Sequence, residues 1–347
     1  MSRAIELQPI EDEEAARPRW SERLAALAGM GTGWRTIAAK ELSDNILNVR
    51  FYVLLAIVGL AAIGTVYFSS QGLKDAAQSV GEQARQYTGQ APLFLLLFTV
   101  TGNPLPFPFF SLISFVLPLI GIAFGFDAIN GERAEGTLPR LLAQPIHRDD
   151  VVNGKFAAGL AVIALILASV TAFVAGFGIF RLGIVPSSDE VARIVAWVIV
   201  SIVFVAFWLA FAMLCSVAIR RSSTAALVAV GVWLVFSLFF NLIAGLVAGV
   251  FAGGSSDSLD SVTQRLQELS PITLYQEATQ ALLNPAVRTV GVLLPSQQDQ
   301  LSSAAPSFLS LDQSLLVVWP QAVALIALTV VCFAVAYVLF MRQEVRA

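Results

Sequence analysis

Residues 156–180 read FAAGLAVIALILASVTAFVAGFGIF, without a single Asp, Glu, Lys, Arg or His. A helix needs about 20 mainly apolar residues to cross a hydrocarbon layer about 30 Å thick, and this stretch is long enough. A membrane barrel would instead show segments of about ten residues with alternating polarity. Ala161-Val162-Ile163-Ala164-Leu165-Ile166-Leu167-Ala168 does not alternate. Backbone groups in hydrocarbon must be satisfied within their own segment, so the stretch is a membrane helix. Five more runs pass the same test: 51–68, 109–126, 195–219, 224–251 and 315–341. The composition agrees, with 57% hydrophobic and 13% charged residues and a mean hydropathy of +0.76. A soluble domain carries about 25% charged residues and could not hide this much apolar surface. The sequence therefore predicts an all-α, polytopic membrane protein with six spans. It excludes a nucleic-acid binder, a disordered chain and a secreted disulfide scaffold.

Basic residues give the orientation. With both termini in the cytoplasm, segments 1–50, 127–155, 220–223 and 342–347 hold 7, 4, 2 and 2 Lys or Arg. The outer segments 69–108, 181–194 and 252–314 hold two each. Short loops rich in Lys and Arg stay inside. Three regions follow: an acidic cytoplasmic extension over 1–33 with Glu11-Asp12-Glu13-Glu14, an interfacial helix over 34–50 and a transmembrane domain over 51–347. The extension has no apolar core and does not read as a signal peptide. Between 34 and 50, Trp34, Ile37, Ala38, Leu42, Ile46 and Val49 recur at helical spacing among charged residues, the pattern of an amphipathic helix lying in the membrane interface. In the last outer loop Leu259, Val262, Leu266 and Leu269 predict a second amphipathic helix, and 294–310 reads as flexible.

Much chemistry is absent from the sequence. The span interiors lack ionisable groups, which weighs against a proton- or ion-coupled secondary transporter. With His147 as the one histidine, an HExxH site is impossible. Cys215 and Cys332 lie apart within apolar runs and read as packing residues, and no metal-ligand cluster is expected. Asn153-Gly154-Lys155-Phe156 has the Gly-Lys pair of a phosphate loop but neither the first glycine nor the following hydroxyl. The chain is not expected to be an enzyme by itself.

The most patterned sequence outside the spans is 127–155. The second span can continue into water through Asp127–Glu135 and stop at Gly136. Thr137 can then cap a short helix carrying Leu138, Leu141 and Leu142, which Pro145 ends. Asp149 or Asp150 can cap the third span. A short capped helix between two long ones is either a knob that fits a partner's groove or a plain hydrophilic return, and spacing alone does not choose between them.

The pattern Glu132-x3-Gly136-Thr137-Leu138-x2-Leu141-Leu142-x2-Pro145-Ile146-x-Arg148, followed by Gly154-Lys155, resembles the signature loop of the ABC-2 type exporter permeases. Lys40-Glu41, Asn48-Val49-Arg50 and Ser270-Pro271 with Tyr275 also fit this family, in particular its branch of nitrous-oxide-reductase maturation and sodium-efflux permeases. The resemblance implies a permease subunit in the inner (cytoplasmic) membrane, working as two permease copies with two ATP-binding-cassette ATPases. It implies that Glu132, Gly136, Thr137, Leu138, Leu141, Leu142, Pro145 and Arg148 form a coupling helix that contacts the ATPase. No cofactor is expected on this chain, since ATP and magnesium belong to the partner. An alternative within the family is a non-transporting subunit that transmits force to an extracytoplasmic partner. The extension and the large outer loops depart from the family pattern, and the residues do not name a substrate.

Overall fold

The computed structural model describes residues 33–84, 93–100, 107–137, 147–183, 185–251, 256–290 and 308–343. Regular structure among them is helical throughout: α1 Gly33–Leu47, α2 Val49–Ala84, α3 Leu96–Thr99, α4 Phe109–Gly125, α5 Asn130–Ala134, α6 Arg148–Leu182 and α7 Ser188–Ala218. Then come α8 Ser222–Leu234, a π-helical turn Val235–Phe239, α9 Phe240–Phe251, α10 Ser256–Gln267, α11 Pro271–Leu283 and α12 Leu311–Arg342. Six segments are long and apolar enough to cross a membrane: Val49–Tyr67, Phe109–Ala134, Arg148–Phe180, Ser188–Ala218, Ser222–Val250 and Leu311–Arg342.

The fourth span is the centre. Two thirds of its most apolar window is buried (67%), against 11% for the fifth span and 17% for the sixth. α7 carries apolar residues all round and can therefore accept α4, α6, α11 and α12 on its different faces. Its Trp197, Phe204 and Trp208 are fully buried, and Trp197 meets Phe98 and Phe109 edge-on at ring separations of 5.8 and 6.1 Å. α4 reaches α7 closely because it is notched by glycine. A Cβ on Gly125 would fall 2.7 Å from Ala212 Cβ and 2.9 Å from the Leu209 carbonyl. Small residues at such crossings let membrane helices approach backbone to backbone.

Boundaries differ from the sequence reading where apolarity and helicity part company. α2 runs on to Ala84, into the expected outer loop, because Gln, Lys, Ala and Glu are good helix formers although too polar to extend a span. The expected loop 69–108 also holds Phe94, Leu95, Leu97 and Phe98, all buried, on and beside the one-turn helix α3. α6 begins at Arg148 and α7 at Ser188, capped by Ser187, whose hydroxyl accepts from the Glu190 amide. The third span is capped at His147, not at an aspartate. Asp150 sits three residues later and accepts the His147 amide at 3.3 Å. α1 is a helix as expected but only weakly amphipathic. Packing orients it: Ile37 is buried, and a Cβ on Gly154 of α6 would lie 2.7 Å from Ile37 Cγ2. The second expected amphipathic stretch forms α10, which ends at Gln267, short of Leu269, and Ser270 caps α11 through the Thr273 amide.

Candidate functional site

One end of the bundle, here called proximal, gathers α1, α5, the start of α6, the end of α7 and the end of α12. The second span does not run straight into α5. The chain turns at 126–129 and is re-seated by α7, where Ser216 Oγ accepts both the Ile129 and Asn130 amides at 3.1 Å. Asn130 Nδ2 donates to the Ile219 carbonyl at 2.6 Å. The root of α5 therefore hangs on the fourth span and the residue that follows it.

α5 then stops as the sequence predicts. Gly136 is left-handed (φ +67°), the Thr137 amide donates to the Glu132 carbonyl at 3.0 Å, and the Gly136 amide donates to that of Arg133 at 3.3 Å. These two bonds are a Schellman stop. The Thr137 hydroxyl turns back to the Glu132 carboxylate (3.0 Å) and carbonyl (3.2 Å), and the helix it is expected to cap lies outside the described residues. Leu138, Leu141, Leu142 and Pro145 lie outside the described residues, as does the rest of 138–146.

Behind this stop lies a three-membered ion cluster. Lys155 Nζ, with its side chain 7% exposed, meets Glu41 Oε1 of α1 at 2.7 Å and Glu132 Oε1 of α5 at 3.0 Å. A buried ammonium is costly alone, and the two carboxylates that accept from it are what make it tolerable. Asp150 adds a second link between α1 and α6 by accepting the Trp34 amide at 3.1 Å. Arg50, at the start of α2, pairs with Asp127 and lies over the Phe126 ring. Glu132 thus serves inward to Lys155 and Thr137. Arg148 is held by the Gln343 carbonyl at 3.1 Å. Arg133 donates to Gln343 Oε1 at 2.6 Å, and Gln343 Nε2 donates to the Val217 carbonyl at 2.8 Å.

The sequence reading quoted Glu41 and Lys155 among the family-like positions without assigning them a role, and it missed Gln343. A lysine placed directly before the apolar run 156–180 was the available signal for Lys155. Nothing local marks Gln343.

The opposite, distal end has its own polar clasp. Arg193 is fully buried and donates to Asp189 (2.7 Å), Ser314 Oγ (2.9 Å) and the carbonyls of Leu282 (3.2 Å) and Leu309 (2.6 Å). It joins α7 to the end of α11 and the start of α12. Beside it, Tyr275 stacks on Phe204 at 4.2 Å and shares a 2.7 Å hydrogen bond with Ser201. A cavity of about 520 Å³ opens between α4, the π-helical turn and α11, lined by Phe107, Ser111, Ser114, Phe115, Ser237 and Gln276 among others. Among the described residues, no group of three or more His, Cys, Asp or Glu could hold a metal ion.

Six spans pack around a central fourth, and the stretches that flank residues 138–146 are tied to the bundle. The family model described as ABC-2 family transporter protein matches residues 35–345, and the chain belongs to that family. It is 29% identical over 215 residues to the probable ABC transporter permease protein NosY of Stutzerimonas stutzeri, covering 58% of this chain and 66% of that protein. It is 28% identical over 282 residues to the probable ABC transporter permease protein NosY of Pseudomonas aeruginosa, covering 80% and 91% respectively. The chain is thus a multi-pass membrane permease subunit of the ABC transporter family, whose members are generally non-catalytic and imply an ATPase partner.

Proposed function

We propose that this chain is an export permease driven by a separate cassette ATPase docked on residues 132–148. Two permease copies and two ATPases form the working unit in the inner membrane, with the proximal end and both termini in the cytoplasm and α1 at the membrane interface. ATP and magnesium bind on the ATPase, and this chain contributes no catalytic group. The observation carrying the reading is that both flanks of the segment are tied to the spans. Residues 129–137 are held by Ser216, Ile219 and Lys155, and Arg148 by Gln343. A segment anchored at both flanks transmits a push to the bundle, and a bundle with two packings converts that push into access.

The distal cavity favours transport over force transmission alone. Its volume lies within the usual range for small-molecule sites, and its lining of serines, Gln276 and aromatic or aliphatic residues carries no charge. An uncharged, partly apolar cargo fits that lining. The test is the Leu141→Asp/Leu142→Asp double variant, which puts charge into the desolvated contact that the reading requires. A lost interface anchor costs about 2 kcal/mol or more, roughly a thirtyfold loss in affinity. The variant should insert in the membrane but lose its ATPase on purification. Wild-type stoichiometry with normal transport would defeat the proposal.

A further inference from the structure

Both flanks of the coupling segment converge on a single residue of a distant part of the sequence. Gln343 follows the last turn of α12, the sixth span. Its side-chain oxygen accepts from Arg133, ahead of the segment, and its main-chain oxygen accepts from Arg148, behind it. Its side-chain nitrogen donates to the Val217 carbonyl at the end of the fourth span. The amide is used on both sides, with one acceptor and one donor engaged at 2.6 and 2.8 Å. The sequence separations are 210, 195 and 126 residues, so no local preference sets this arrangement.

Each contact has a chemical reason. Arg133 and Arg148 are guanidiniums, acceptor-free groups that seek oxygens, and bonds from charged donors are about twice as strong as neutral ones. The Val217 carbonyl belongs to the last turn of α7, where helix carbonyls lack internal partners. A carboxamide offers Arg133 an acceptor and Val217 a donor together without adding charge. Glutamate would keep the first contact and turn a carboxylate oxygen towards the Val217 carbonyl. Alanine would lose both.

We infer that Gln343 is the positioning residue that locks the coupling segment to the fourth and sixth spans, so that the three move as one body. It acts through Arg133, Arg148 and Val217 and touches neither nucleotide nor cargo. The inference deepens the proposed function by naming what the coupling segment pulls on, and it rests on that reading for its role in transport. The lock itself does not depend on any partner. When the segment is displaced, the ends of the fourth and sixth spans follow without an intervening hinge. Loss of the side chain leaves the Arg148 contact to the backbone and the ties at Ile129, Asn130 and Glu132 in place, so the end of α5 beyond those ties gains freedom to swing away from the fourth and sixth spans.

The experiment uses the full chain in nanodiscs, alone and with its cassette ATPase. Spin labels at Glu135 and Arg221, both exposed, report the distance between the end of α5 and the turn after the fourth span. In the wild-type chain this distance should form one narrow distribution. In Gln343→Ala a second, longer component should rise by roughly tenfold, the factor that accompanies loss of about 1.4 kcal/mol. Gln343→Glu should fall between them, because it retains the Arg133 contact. Arg133→Ala and Gln343→Ala should combine to much less than the sum of their separate effects, as residues in one network do. With the ATPase bound, Gln343→Ala should keep wild-type stoichiometry while ATP no longer shifts the two labels together. An unchanged distribution in Gln343→Ala, or additive single and double variants, overturns the lock. A narrow wild-type distribution that widens on substitution, with no ATPase bound to any variant, upholds the lock and defeats the proposed function.

Discussion

Replacing Lys155 by Met should separate α1 and the coupling segment from the third span. Met keeps much of the stem's volume, so packing changes little and the loss is electrostatic. Glu41 Oε1 and Glu132 Oε1 both lie within 3.0 Å of one Nζ, with side chains 19% and 17% exposed. Without that nitrogen, two carboxylates stand no more than about 6 Å apart, a repulsion of about 3 kcal/mol at an effective dielectric of ~20. The charge-assisted bonds to Lys155 are lost as well. Removing one member of a buried ion cluster typically costs about 3–5 kcal/mol, and Lys155→Met should fall in that range. Glu132→Gln in the Lys155→Met background should recover part of the loss, since it removes the repulsion and leaves Thr137 a partner. Denaturant titration in detergent micelles would give the free energies, and limited proteolysis between residues 33 and 50 would show α1 detaching from α6. A loss under about 1 kcal/mol, the scale of exposed pairs, would refute the claim that this cluster holds the proximal end together.

Three further outcomes can be checked. Arg193→Leu should destabilise the distal end by about 3–5 kcal/mol in the same titration, because the Leu282 and Leu309 carbonyls lose a buried charged donor. Glu277, half-buried and next to Gln321, has its carboxyl raised above the ordinary value by burial, against the Gln321 hydrogen bond and with help from Glu268. A raised carboxyl favours the protonated folded form, so this contribution to stability grows as pH falls through the raised pKa towards 4.5. Glu277→Gln should flatten that pH dependence of the thermal midpoint, and an unchanged slope would exclude Glu277 as its source. In a chain with Cys215 and Cys332 replaced, a cysteine at Val185 should react with an impermeant maleimide from outside the cell and one at Ser223 only after lysis. The reverse pattern would overturn the orientation argued from basic residues.

The sequence by itself determined the class of fold. Length of apolar run, absence of internal charge and the lack of alternation are local properties, and hydrocarbon imposes them on each span independently of its neighbours. One end governed by local geometry was legible too: Gly136 stops α5, because a left-handed backbone position needs only the right adjacent residue. The candidate site was legible as a stretch, 127–155, but not as an assembly. Glu132 and Arg148 stood out, yet Glu132 is met by Lys155 of α6, which it shares with Glu41 of α1, and Arg148 by Gln343 just past α12. Which carboxylate meets Lys155 across 114 residues, and which carbonyl meets Arg193 across 116, follows from how the helices pack around α7. Thr137 shows the limit on a small scale, its hydroxyl reaching back to the Glu132 carboxylate. Phe94 to Phe98 show it in the core, where a run too short to span is buried because α2, α4 and α6 leave a site for it. Tertiary structure decided these pairings because desolvated charges and apolar side chains are satisfied by whatever folding brings within a few ångströms, and sequence distance does not enter that energy.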